Sequence, residues 1–195
     1  GATGCQAVRA ASTGRVAVLA GLLVVLDQAS KAAVRGALAP GECVPLLGDV
    51  LSIVLRPNTR GVSWWVPDVP GWAPLLVTLL LWVVLVGVLP VYRFHALRTG
   101  GSGWATVAAV SLAGAAGGHV ADGLFAPWTA DWIQLLDMPA GNLADVYSWV
   151  GLAALAVEWG RAERKRRGMG LAARWALARE TRRDFIRFLR GLIRR

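Results

Sequence analysis

The run from Ala73 to Tyr92 limits this chain more than any other feature. It is interrupted only by Pro74, Thr78, Gly87 and Pro90, and it holds no charged residue. A bilayer core about 30 Å thick is crossed by about 20 apolar residues in helix. Three further segments approach that requirement. Val16–Leu26 is apolar or Gly throughout and continues through Asp27-Gln28-Ala29-Ser30-Lys31 to Val34. Trp104–Val120 is rich in Ala and Gly, which lets helix backbones approach closely in lipid. Val146–Trp159 is shorter and reaches spanning length when its helix begins near Asn142. A soluble bundle would need polar faces at helical spacing, and they are missing. Charged residues make up 17% of the chain, below the roughly 25% of soluble domains, which favours the membrane reading further.

The formal charge of +9 is a property of the tail. Residues 161–195 hold 13 Arg and Lys against Glu163, Glu180 and Asp184, whereas residues 1–160 hold 8 basic and 9 acidic groups. Nucleic acid is therefore not an expected partner, because the basic stretch is tethered beside a membrane span and has only scattered aromatics. Leu171, Trp175, Ala178, Phe185, Leu189 and Leu192 recur along one stripe of a helix, with most arginines off it. That pattern predicts an interfacial helix attracted to anionic lipids.

Basic residues orient the spans. Arg9 and Arg15 precede the first, Arg93, His95 and Arg98 separate the second from the third, and the Arg-rich tail follows the fourth. Residues 122–143 carry Asp122, Asp131 and Asp137 with no Lys or Arg. The expected architecture is an all-α integral membrane protein with four transmembrane helices and both termini cytoplasmic. A membrane domain would occupy residues 1–160, with outer loops 36–72 and 122–143, and a basic tail residues 161–195. No cleaved secretory signal is expected, since the first apolar stretch leads into further spans without a cleavage site. Cys5 and Cys43 fall on opposite faces and are expected to stay free. Within the first outer loop, Val50–Leu55, the turn signal Arg56-Pro57-Asn58-Thr59 and Val62–Val66 predict a strand pair, so the outer subdomain should be β-rich. Trp64, Trp65 and Trp72 suit the aromatic belt at the membrane surface.

Ionisable groups in or beside spans are costly, and each raises a functional question. Asp27 and Lys31, at i and i+4, lie on one helix face as an ion pair. Asp122, Asp131 and Asp145 cluster around the second outer loop. Asp145 suits a helix start, which favours negative charge. Alternatively, it meets a second carboxylate, and the two share one proton, one activating water and the other protonating the departing group. No metal motif competes: His95 and His119 fall on opposite faces, and CxxC pairs, HExxH and Walker loops are absent. No metal or organic cofactor is expected.

Four blocks carry a family likeness. They are Leu26-Asp27-Gln28-Ala29-Ser30-Lys31, the loop Asn58-Thr59-Arg60-Gly61-Val62-Ser63-Trp64, the stretch Gly117-Gly118-His119-Val120-Ala121-Asp122 reaching Asp131, and Asn142-Leu143-Ala144-Asp145. In order and separation they resemble the lipoprotein signal peptidases (signal peptidase II), which are integral-membrane aspartyl endopeptidases. The resemblance implies that Asp131 and Asp145 form the catalytic pair with Asn142 in support. It also implies that Asp27, Lys31, Asn58, Arg60, Gly61, His119 and Asp122 shape or line the site. The substrate it implies is a prolipoprotein carrying diacylglyceryl-cysteine, cut on the amino side of that cysteine in the bacterial cytoplasmic membrane. Membrane lipids are implied as partners, and cyclic peptides as inhibitors.

The chain also departs from the family pattern. His119 followed by Asp122-Gly123 stands where the family usually has Asn and then Asp-Arg, and Arg60 interrupts the Asn-Thr-Gly pattern, leaving Asn58 or Thr59 in the family's Asn position. Trp64 and Trp132 stand where Phe is common. Two competing readings are a catalytically impaired relative that binds precursors or inhibitors, and a small transporter in which Asp131 and Asp145 carry protons.

Overall fold

The Ala- and Gly-rich run becomes the central helix. The computed structural model describes residues 3–59, 72–99 and 101–194, with the backbone alone for 3–12 and 73–75. Its elements follow the order α1 (Thr3–Ala37), β1 (Cys43–Leu47), β2 (Leu51–Asn58), α2 (Ala73–Thr99), α3 (Gly103–Phe125), β3 (Thr129–Leu135), α4 (Leu143–Arg166) and α5 (Leu171–Ile193). Helix α3 packs against α1, α2 and α4 through its small residues. A methyl group at Gly114 would stand 2.8 Å from Leu23 Cβ, and one at Gly117 would stand 2.6 Å from Val24 Cγ2. On α4, a methyl group at Gly151 would meet Leu112 of α3 at 2.7 Å. Outside these contacts the helices present apolar side chains outward, among them Leu22, Val25, Val83, Val86, Trp149 and Leu152. Apolar surface of this extent belongs against lipid.

The chain is thus a multi-pass helical membrane protein, in which three of the four expected spans have the length and apolarity of a membrane helix. Three helical segments, Thr13–Ala37, Leu76–Thr99 and Gly103–Phe125, are long and apolar enough to cross a bilayer. Helix α4 has 24 residues, but Asp145 opens it and Glu158, Arg161, Glu163, Arg164, Lys165 and Arg166 crowd its second half. Its apolar stretch is correspondingly short. It does not match the other three by composition.

The small sheet also differs from the expected pair. Its order is β1-β2-β3, antiparallel throughout, so β2 is central. Arg56, Pro57 and Asn58, read above as a turn, continue β2 and pair with Asp131, Ala130 and Thr129. Proline is tolerated there because the pairing of β2 with β1 ends at Val54, opposite Cys43, so Pro57 needs no donor on that side. The expected partner strand Val62–Val66, with Trp64 and Trp65, lies outside the described residues, as do Arg60 and Gly61. Segment 129–135, read above as loop, forms β3. Val34, Leu55 and Ala130 form a buried cluster that fixes the sheet to the end of α1. Cys43 is free and exposed, while the side chain of Cys5 lies outside the described residues.

Helix α5 forms as expected, after a turn at Gly168 (φ +91°), but Phe185 of the expected lipid-facing stripe turns toward α2 instead. It docks on α2, with the Phe94 ring 5.0 Å from Phe185 and 5.6 Å from Phe188, and Arg98 donating to Asp184 at 3.0 Å.

Candidate active site

Three elements meet at the sheet end of the bundle: the last residues of β2, the start of β3 and the first turn of α4. Asn58 lies opposite Thr129 in the β2–β3 ladder, and Asp131 follows two residues later. Side chains alternate along a strand with period two, so Asn58 and Asp131 are diagonal neighbours on one face. Asn58 Nδ2 donates to Asp131 Oδ2 at 2.8 Å.

Beyond β3 the chain turns through Leu136 (φ 52°) and folds back on itself. The amides of Trp132 and Ile133 donate to the Gly141 carbonyl at 2.6 and 2.8 Å, and Gly141 N donates to Ile133 O at 2.9 Å. This places Asn142 and Asp145 beside Asp131. Asn142 caps α4: its Oδ1 accepts from the amides of Ala144 at 3.0 Å and Asp145 at 3.4 Å. Asp145 closes a capping box by accepting from Asn142 N at 2.8 Å through Oδ2. The free edge of the Asn142 side chain, Nδ2, donates to Asp131 Oδ1 at 2.8 Å. One residue therefore holds both carboxylates, Asp131 by its side chain and Asp145 by its backbone. The helix-start reading of Asp145 therefore holds, and the residue that caps the helix also holds Asp131.

The two carboxyl groups differ in setting. Asp131 is 5% exposed, whereas the Asp145 side chain is 35% exposed. Burial pushes the Asp131 carboxyl up to about 6. The amides of Asn142 and Asn58 oppose this, the charge of Asp145 adds to it, and Lys31 opposes it. His119 Nε2 stands 3.6 Å from the second oxygen of Asp145, on a nearly buried ring.

Beneath lies a second, closed cluster. Lys31 Nζ donates to Asp27 Oδ2 and Asp122 Oδ2, both at 2.6 Å, with Asp27 and Lys31 fully buried. Asp27 Oδ1 also accepts from the Ala144 amide at 3.0 Å, which adds a negative group at the N-terminus of α4. Gly118 permits this approach, since a methyl group there would stand 2.8 Å from Asp27 Oδ2 and 3.0 Å from Ala144 Cβ. Asp122, followed here by Gly123, is paired with Lys31. Asp27, Lys31 and Asp122 thus brace the first turn of α4 and form no hydrogen bond or ion pair with Asp131. Gln28 escaped the sequence reading. Its amide donates to Asp27 and Asp122 at 3.0 Å each and to Gly118 O at 3.3 Å. The available signal was a polar residue in an apolar span, between two others. Among the described residues no group of His, Cys, Asp and Glu could hold a metal ion.

The sequence pattern described as signal peptidase (SPase) II matches residues 19–160. Similar proteins include the lipoprotein signal peptidase of Pseudomonas paraeruginosa, 31% identical over 151 residues that cover 73% of this chain and 86% of that protein. The lipoprotein signal peptidase of Halothermothrix orenii is 28% identical over 134 residues, covering 69% and 87%. A solved bacterial membrane enzyme shares the fold with a TM-score of 0.65 at 18% identity, over 81% of this chain and 94% of that one.

Proposed function

Since the chain belongs to the signal peptidase II family, we propose that it is a membrane aspartic endopeptidase that removes signal peptides from lipid-modified prolipoproteins. The observation that carries this reading is the bridging of Asp131 and Asp145 by Asn142. Two carboxylates near one another disfavour ionisation of both. Asp131, buried and raised toward neutrality, is the member that holds the proton. Asp145, more open to water, is the base. In hydrolysis Asp145 takes a proton from water as the oxygen attacks the scissile carbonyl, and Asp131 supplies a proton to the departing amine. Asn58 and Asn142 keep the Asp131 carboxyl in place, and His119 limits the rotation of Asp145.

The substrate is a precursor whose cysteine carries diacylglycerol, cut on the amino side of that cysteine. Its signal helix and acyl chains lie in the bilayer, which suits a dyad at the bundle end with apolar helix faces around it and water on the sheet side. In this reading α4 is the fourth span and shields its polar ends through contacts with α3. Both termini are cytoplasmic, the sheet and dyad face outward, and the membrane is the bacterial cytoplasmic one. Arg15, Arg93, Arg98 and the α4–α5 arginines, gathered at the other ends of the helices, support that orientation. The test is cleavage of a diacylglyceryl-modified precursor by the purified chain and by its Asp131→Asn and Asp145→Asn variants. Loss of cleavage in both, with the fold retained, supports the dyad. Cleavage by either at the parental rate removes that residue from it.

A further inference from the structure

Helix α5 lies beyond the residues that match the family pattern, so the peptidase reading does not account for it. Its surface is divided into three faces. Leu177, Thr181, Asp184, Phe185 and Phe188 turn toward the bundle and are partly buried. Arg179, Arg183, Arg187 and Arg190 share an exposed face. Between the two runs an apolar stripe of Leu171, Trp175, Ile186 and Ile193, exposed among the described residues. Such a helix touches protein on one side, the lipid edge on another and water on the third.

Where α5 leaves α4 it encloses, with α2, a cleft of about 550 Å³. Val91 and Phe94 of α2 and Leu177, Ala178 and Phe185 of α5 form its apolar walls. Arg166, Arg174 and Arg182 line the same cleft against a single acidic residue, Glu163. Arg174 is committed to the turn: it donates to Glu163 at 2.8 Å, to Met169 O at 3.3 Å and to Arg166 O at 3.3 Å. The side chains of Arg166 and Arg182 form no ion pair among the described residues. Two guanidiniums without ion pairs among the described residues, lining an apolar slot, match a phosphodiester attached to hydrocarbon.

We propose that this cleft binds one anionic phospholipid, its phosphate on Arg166 and Arg182 and one acyl chain along Val91, Leu177 and Phe185. Charge selects the headgroup, and the apolar walls select a lipid over a soluble phosphate. The site is remote from the dyad. Ser102, at the start of α3, donates to Glu158 of α4 at 2.6 Å, whereas Asp145 stands 3.6 Å from His119, roughly 25 Å further along α3 at 1.5 Å per residue. The proposal therefore stands independently of the peptidase chemistry.

The test uses the full chain in detergent, with lipid retention read by native mass spectrometry. The probes are dioleoyl-phosphatidylglycerol and dioleoyl-phosphatidylcholine. The parent is expected to retain one phosphatidylglycerol at roughly tenfold lower concentration than phosphatidylcholine. Arg166→Gln with Arg182→Gln should weaken phosphatidylglycerol retention roughly thirtyfold. Arg190→Gln with Arg194→Gln, which removes the same charge elsewhere on the helix, should change it by less than about threefold. Ala178→Trp, which fills the cleft and leaves every charge in place, should abolish one-to-one retention. Equal retention of the two lipids by the parent would overturn the site, as would equal losses in the two arginine pairs or parental binding by Ala178→Trp. Displacement of the lipid by millimolar glycerol 3-phosphate would also overturn it, because the headgroup alone would then be the ligand.

Discussion

Asn58→Ala separates the proton-holding role of Asp131 from its mere presence. In the parent, Asn58 Nδ2 donates to Asp131 Oδ2 at 2.8 Å, a bond that favours the ionised carboxylate. A hydrogen bond to a charged group contributes about 1.5–3 kcal/mol. Since about 1.4 kcal/mol is one pKa unit, complete loss would raise Asp131 by one to two units. Asn142 still donates to the other oxygen, and water entering the vacated space recovers part of the loss, so the net rise should be about one unit. Starting from a value of about 6, the protonated fraction at pH 7 climbs from roughly a tenth to roughly a half. The alkaline limb of kcat/KM against pH should accordingly move up by about one unit, as a macroscopic property of the coupled pair. The assay is cleavage of a lipid-modified precursor across a pH series in one detergent, with thermal unfolding followed in parallel to show that the end of β2 stays paired. An alkaline limb that stays put or moves down, with the fold intact, would refute Asp131 as the residue holding the proton.

Three further outcomes follow from the same geometry. Asp131→Asn and Asp145→Asn should each lower kcat by about a thousandfold, within the range that acid–base groups contribute, and EDTA should leave the parental rate unchanged; both are read in the cleavage assay. Lys31→Met should cost about 3–5 kcal/mol by leaving Asp27 and Asp122 buried without their cation, and adding Asp122→Asn should restore part of the loss in thermal unfolding. A membrane-impermeant thiol reagent should modify Cys43 in intact cells, while a tag after Arg195 should become accessible only after lysis; a tag exposed in intact cells would invert the proposed orientation.

Features with a local signature were legible in the sequence. The Gly-rich stretch of α3 announced close packing, Asp27 and Lys31 announced their pairing by i,i+4 spacing, and Asn142 with Asp145 three residues later is the pattern of a helix start. What was missed depends on contacts between distant segments. Arg56-Pro57-Asn58 has turn chemistry and becomes strand because β3, more than 70 residues further on, supplies its partner. Strand β3 itself has Ala130 and Asp131 buried where a simple alternation of apolar and polar residues would expose one of them, so period two did not reveal it. The joint hold of Lys31 on Asp27 and Asp122 joins α1 to α3 across 91 positions, which no local pattern encodes. Likewise, residues 161–166 read as the start of the tail, although α4 runs unbroken to Arg166.

The double duty of Asn142 has a consequence for how activity is gained and lost. Capping α4 and joining the carboxylates use the same side chain, so the first turn of this helix cannot fray while the dyad stays assembled. Opening that one turn releases Asp145 from Asn142 N, Asp131 from Asn142 Nδ2 and Ala144 from Asp27 in a single event. Such local opening costs less than unfolding the bundle. With Asp131 and Asp145 in the proposed roles, the fraying equilibrium of this single helical turn would limit the competent fraction of a population. A newly inserted chain would acquire chemistry when that turn closes, and a warmed one would lose it there first, with its spans still in the membrane.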